Sequence, residues 1–170
     1  MSLPSRLWFL AVLALLMPAA ASAAPAVSST ATGTAAILSP LSVIKNSDMD
    51  FGTLVVTGAG TAVINPVSGS VSTTGGVTKS GTAAHAATFI STGSKNAVVL
   101  IRLPTNPITL TRAGGTETLT VSTWTLDGAT NRRISGNNTF TFAVGATANV
   151  AAGQVAGTYA GTFTITVQYP

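Results

Sequence analysis

The chain has no cysteine, a single histidine and few charges. Each absence excludes something. Without cysteine there is no disulfide and no thiolate, so the fold rests on its core and its hydrogen-bond ladders. With one histidine, His85, a transition-metal site would need carboxylates to complete it, whereas zinc sites draw on several His or Cys ligands. His85 stands in an Ala-rich stretch and reads as a surface or loop-end residue. Charged residues make up 7% of the chain, against about 25% in ordinary globular proteins. Past the leader, the cations Lys45, Lys79, Lys95, Arg102, Arg112, Arg132 and Arg133 are scattered. A nucleic-acid binder gathers them on one face with aromatics between, so nucleic acid is not an expected partner. The surface is left to Thr, Ser, Gly, Asn and Ala, with little charge repulsion to keep copies apart. That suits an exported structural protein better than a soluble enzyme.

Long hydrophobic runs are also missing. Arg6 precedes the apolar run Leu7 to Met17, Pro18 breaks it, and Ala21-Ser22-Ala23 forms an A-x-A cleavage site. This pattern predicts a signal peptide over residues 1–23 and a mature chain from Ala24. The run is too short for a bilayer, which needs roughly 20 residues, and no transmembrane segment is expected in the mature chain. The expected route is through the inner membrane to the periplasm, then to the cell surface or the medium. Residues 24–170 fit one domain with a real core.

What is present is alternation. In Gly157 to Tyr169 the odd positions Tyr159, Phe163, Ile165, Val167 and Tyr169 are apolar, Gly161 is small, and Thr162, Thr164, Thr166 and Gln168 are polar. A period of two places these sets on opposite faces of one strand. Such a last strand is either a member of a sandwich or a place where another chain pairs. Residues 24–36 form a small, polar N-terminal extension. Its positions Val27, Ala31, Gly33, Ala35 and Ile37 alternate without bulk and would form a strand only with a partner.

The domain, residues 37–170, reads as short strands. They are Ile37–Ile44 broken by Pro40, Met49–Val56, Thr61–Ile64, Ala86–Ile90, Ala97–Leu103, Ile108–Thr111, Leu119–Leu126 with Trp124, Thr139–Val144, Ala146–Val150 and the final strand. Asn46-Ser47-Asp48, Ala113-Gly114-Gly115 and Asp127-Gly128 mark turns. Val67–Thr82 reads as a hairpin or loop. About nine or ten short strands, with no 3.6-residue period past the leader, predict an all-β domain. A sandwich is expected first and a barrel second.

Catalytic chemistry has little to work with. The carboxylates are Asp48, Asp50, Glu117 and Asp127. Asp48 reads as a turn cap and Asp50 as an exposed strand residue. No serine sits in G-x-S-x-G, and no Gly-rich segment carries the Lys and helix of a phosphate loop. Trp124 reads as a core residue rather than a sugar platform. No catalytic residue, no cofactor-binding residue and no metal ligand is assigned, and the chain is expected not to be an enzyme.

Four segments together resemble a family of exported bacterial β-domains of unknown function, itself similar to fimbrial major subunits. They are Asp48-Met49-Asp50-Phe51-Gly52, Val144-Gly145-Ala146 with Val150, Gly157-Thr158-Tyr159-Ala160-Gly161-Thr162-Phe163, and Thr164 to Tyr169. The C-terminus is also similar to pilins of the chaperone–usher pathway, in its penultimate Tyr169 and in Gly157, fourteenth from the end. The disulfide common in those pilins is missing, and the extension is less bulky. The resemblance implies an immunoglobulin-like, pilin-like sandwich that lacks its last strand. Val27, Ala31, Gly33, Ala35 and Ile37 would then be the donor segment. Gly157, Tyr159, Gly161, Phe163, Ile165, Val167 and Tyr169 would form one wall of the acceptor groove. The implied partners are head-to-tail copies of the chain, a periplasmic chaperone and an outer-membrane usher. The alternative is a self-contained, monomeric adhesion or coat module that folds with its own extension.

Overall fold

The computed structural model describes residues 26–170; the expected signal peptide and its cleavage site lie outside the described residues. Residues 26–35 have no regular secondary structure and are exposed. A separate unit starts at Ala36 and runs to Pro170. Among the described residues it is all-β, with eleven strands and no helix. The strands are β1 (Ser42–Ser47), β2 (Thr53–Ile64), β3 (Val71–Ser80), β4 (Ala87–Thr92), β5 (Val98–Arg102), β6 (Ile108–Arg112), β7 (Thr118–Leu126), β8 (Asn131–Arg133), β9 (Thr139–Val150), β10 (Tyr159–Ala160) and β11 (Thr166–Gln168). All pairings are antiparallel, in one sheet of eight strands and one of three, and together they make a curled, sandwich-like fold.

The strand β9 organises the larger sheet. Phe142, Val144, Ala146, Ala148 and Val150 alternate along one face, and all are buried. One long side of β9 pairs with β7. The other is shared, with β4 along Thr139–Val144 and β2 along Thr147–Val150. The handover falls at Gly145, where a Cβ would lie 2.2 Å from the Ile64 carbonyl oxygen. Only a bare backbone fits there. Gly145 is therefore a close approach inside one strand, and not the break between two strands that its punctuating position suggests.

The sheet order is β1-β4-β9-β7-β6-β10, with the β2–β3 hairpin branching from β9. The smaller sheet is β11-β5-β8. Two core clusters result. Around the C-terminal half of β9 lie Ala62, Ile64, Val71, Val77, Leu119 and Val121. Around its N-terminal half lie Ala87, Phe89, Ile101, Phe142 and Val144. Met49 and Trp124 pack against both clusters. Trp124 gets there through a bulge between Ser122 and Thr125, where Thr123 has φ of 52°. Odd residues Leu119 and Val121 face the core before the bulge, and even residues Trp124 and Leu126 turn inward after it. An inserted residue shifts the two-residue period by one, so the inward face changes parity.

Several strand boundaries differ from the sequence expectation. Pro40 precedes β1 rather than interrupting it, and Asn46 and Ser47 are strand rather than turn. Met49–Val56 and Thr61–Ile64 are not two strands, because β2 runs from Thr53 through a bulge between Val56 and Gly60. A Cβ on Gly60 would meet the Thr74 carbonyl oxygen at 2.1 Å. The Gly/Ser-rich stretch Val67–Thr82 contains the full strand β3, because β2 supplies its ladder. The largest correction concerns Gly157–Tyr169, which is not one strand. Tyr159–Ala160 pairs with β6 in the larger sheet, whereas Thr166–Gln168 pairs with β5 in the smaller one. The chain crosses from one sheet to the other over residues 161–165, leaving β6 at Gly161, where a Cβ would meet the Thr109 carbonyl oxygen at 2.6 Å.

Candidate strand-acceptor site

The alternation of the C-terminal segment survives although its strand does not. Phe163, Ile165 and Val167 are half-buried and Thr162, Thr164 and Thr166 are exposed. The three apolar side chains pack against the cluster of Ala87, Phe89, Ile101, Phe142 and Val144. The ring of Phe163 is 4.8 Å from that of Trp124 and meets Phe89 edge-on at 6.3 Å. Phe89 stacks on Phe142 at 5.2 Å, and Phe140 on Phe142 at 5.7 Å. The result is a continuous aromatic row.

This cluster is incompletely covered. It has five buried members, against eight half-buried apolar residues packed on them: Met49, Leu103, Trp124, Leu126, Phe140, Phe163, Ile165 and Val167. The backbone beside it is also incompletely paired. Gly161–Ile165 belongs to no strand. β11 pairs only with β5 and lies at the edge of its sheet. β1 is the edge of the other sheet, and five of its six residues are exposed. Ile44, at 60% exposure, is among them.

One side chain ties these two edges to the same end of the fold. The Tyr169 hydroxyl donates to the Ser39 carbonyl oxygen at 2.8 Å and accepts from the Ser94 backbone N–H at 2.8 Å. Ser39 lies just before β1 and Tyr169 just after β11. From that end β1 runs away while β11 runs toward it. The bonded groups are 75 and 130 residues apart in sequence, so no local signal announces them.

The other assigned residues are placed differently. Tyr159 packs against the first cluster, and its hydroxyl donates to the Val155 carbonyl oxygen at 2.7 Å. Gly157 has φ of 154° and faces the Arg112 side chain, with Cδ 2.7 Å from a Cβ placed there. Neither belongs with Phe163, Ile165 and Val167. Val27, Ala31, Gly33, Ala35 and Ile37 are exposed and outside any strand, with Val27 and Ile37 at 96% exposure.

The carboxylates are occupied. Asp48 pairs with Lys45 at 2.6 Å, Glu117 with Arg112 at 2.7 Å, and Asp127 with Arg132. Asp50 accepts from the Gly52 N–H at 2.7 Å, and its backbone bridges to His85. The hydrogen bond from Arg112 holds the Glu117 carboxyl below the usual range and raises Arg112 in turn. Among the described residues no three His, Cys, Asp or Glu side chains are grouped to hold a metal. A cavity of about 370 Å³ touches both His85 and Asp127, and Asp127 there is bonded to Arg132. No helix among the described residues is long and apolar enough to cross a membrane.

No curated protein and no solved structure matches the chain. A match to a protein family covers residues 41–169, from the residue before β1 to Tyr169. The chain therefore belongs to the family described as Domain of unknown function (DUF4402).

Proposed function

We propose that this chain is a non-enzymatic structural subunit of a bacterial surface fibre, joined head to tail by β-strand addition. The observation that carries the reading is the half-covered aromatic cluster lying beside unpaired backbone at Gly161–Ile165 and β11. An added strand satisfies both needs at once. Its main chain pairs with the free edge, and its alternate side chains cover Phe163, Ile165 and Val167. The extension of a neighbouring copy fits that role. Val27 to Ile37, extended at about 3.3 Å per residue, spans about 33 Å. The segment Gly161–Tyr169, at most about 26 Å long at the same rise, is within its reach. The extension's small residues Ala31, Gly33 and Ala35 allow close approach over the aromatic row, and Val27 and Ile37 supply bulk at its ends. A head-to-tail contact of this kind does not close on itself, so it propagates a filament.

Under this reading the chain is exported to the periplasm, a chaperone strand occupies the groove first, and an outer-membrane usher exchanges it for the next extension. The test is the assembly state of the exported chain with and without residues 24–36. Unboiled and boiled samples are run on a denaturing gel, and the same material is imaged by negative stain. A heat-sensitive ladder and fibres that vanish on deletion, with the shortened chain still folded, support strand donation. A stable monomer that unfolds on deletion overturns it in favour of a self-contained surface module.

A further inference from the structure

The outer face of the larger sheet carries a regular hydroxyl lattice. The registers align Thr109, Thr120, Asn149, Thr61 and Thr74 in one row across β6, β7, β9, β2 and β3. The next row holds Ser122, Thr147, Val63 and Ser72. Thr118 beside Thr111 begins a third. All point away from the core, because their neighbours Leu119, Val121, Ala148, Ala62 and Ile64 are buried. No charged residue stands in these rows. The lattice is already self-paired in places: the Thr61 and Thr74 hydroxyls are 2.7 Å apart, and Asn149 Nδ2 donates to the Ser122 hydroxyl at 2.9 Å.

We propose that this face is a lateral contact surface for the same face of a second copy. Three arguments select that occupant. A hydroxyl both donates and accepts, so a threonine lattice is its own chemical complement. The spacing, about 4.8 Å between strands and about 6.8 Å between alternate residues, is common to β-sheets, and two such twisted faces pack with their strands within about 30° of each other. The absence of charge lets two copies approach without repulsion, and β-branched threonine loses little side-chain freedom on contact. An aromatic platform for stacking a sugar ring is absent from the rows.

The patch is small. The eleven positions named, at about 33 Å² each, cover about 360 Å², less than half of the roughly 800 Å² per partner of a stable complex. Two free molecules therefore do not hold together through it. Copies in a row do, because each contact after the first is intramolecular. The inference rests on the fibre reading for its biological use, as lateral bundling, but its test does not.

The exported chain is displayed at high density on beads through an N-terminal biotin tag, and clustering is read by turbidity. Wild-type beads cluster. The double variant Thr120→Lys with Thr74→Lys puts like charges at exposed points of the central row and lowers clustering about tenfold, the multivalent gain being lost. About 1 M salt, with a Debye length near 3 Å, restores it. A control pair outside the rows, Thr105→Lys with Thr130→Lys, leaves clustering intact, and thermal melts show that each variant folds. If the lysine pair unfolds the chain, Thr120→Glu alone serves in its place. Dispersed wild-type beads overturn the inference. So does clustering that survives the charged variant, which would mean strand donation alone joins the beads, or an equal loss in the control pair, which would mean net charge alone acts. A missing heat-sensitive ladder overturns the fibre reading separately.

Discussion

Phe163→Ala probes the acceptor site most directly, because the cost of the change depends on whether the site is filled. A fully buried Phe→Ala costs about 3–5 kcal/mol, combining transfer and cavity. Phe163 is only half-buried in the chain alone, so about half of that, roughly 2 kcal/mol, is expected for the unassembled protein. Its contacts with Trp124 and Phe89 are included in that figure. At about 2–4 °C per kcal/mol the melting temperature falls by about 4–8 °C. An added strand covers the remaining half of the ring, so the assembled form loses a further 1–2 kcal/mol or so, about tenfold in strand affinity. The assay is urea unfolding of the chain lacking residues 24–36, with and without a synthetic peptide of those residues extended to Ile37. The peptide should stabilise the parent, and about tenfold more of it should be needed for Phe163→Ala. If the substitution costs the full 3–5 kcal/mol without peptide and leaves peptide affinity unchanged, the cluster is already closed and the reasoning fails.

Other substitutions test the architecture around the site. Tyr169→Phe removes the hydroxyl that joins Ser39 to Ser94, and should cost about 1–3 kcal/mol in chemical denaturation; no loss would mean that water replaces the bridge. Gly145→Ala places a methyl against the Ile64 carbonyl oxygen and should destabilise by about 3 kcal/mol, through overpacking that rigid backbone cannot relieve; a neutral result would refute the close approach. Thr123→Gly relieves a left-handed conformation that a β-branched residue adopts poorly, and should raise stability by about 1 kcal/mol; a loss would mean that the threonine side chain itself holds the bulge. Glu117 is held below its usual range by Arg112. A depressed carboxylate stabilises the fold above its unfolded value, and that stability is lost as pH falls through the folded value. Glu117→Gln should therefore flatten the acid limb of stability against pH, and an unchanged limb would show that the pair does not couple to folding.

Much of this protein is written locally. The class follows from alternation and turn residues, because a period of two needs only the identity of neighbours. The apolar faces of Val99 and Ile101, Phe142 and Val144, and Phe163, Ile165 and Val167 were all legible that way. Gly145 and the Gly/Ser-rich stretch before β4 were not. Glycine marks a loop, a bulge or a close approach equally well, and only the neighbouring strand decides which. The candidate site was legible in half. Its apolar row could be seen in the C-terminal segment, whereas its aromatic partners Phe89 and Trp124 come from distant strands, and the Tyr169 bridge has no local signal.

The sequence by itself determined an all-β chain, the absence of cysteine and so of any disulfide, and the alternation of its last segment, since composition and period need no partner. Only the tertiary structure decided that this segment is shared between two sheets, that Thr123 reverses the inward parity so Trp124 reaches the core, and that Tyr169, just after β11, bonds to Ser39, just before β1. Each of those depends on which backbone supplies the missing hydrogen bonds and which side chain fills the facing space. Both are long-range choices, settled by burial and pairing rather than by neighbouring residues.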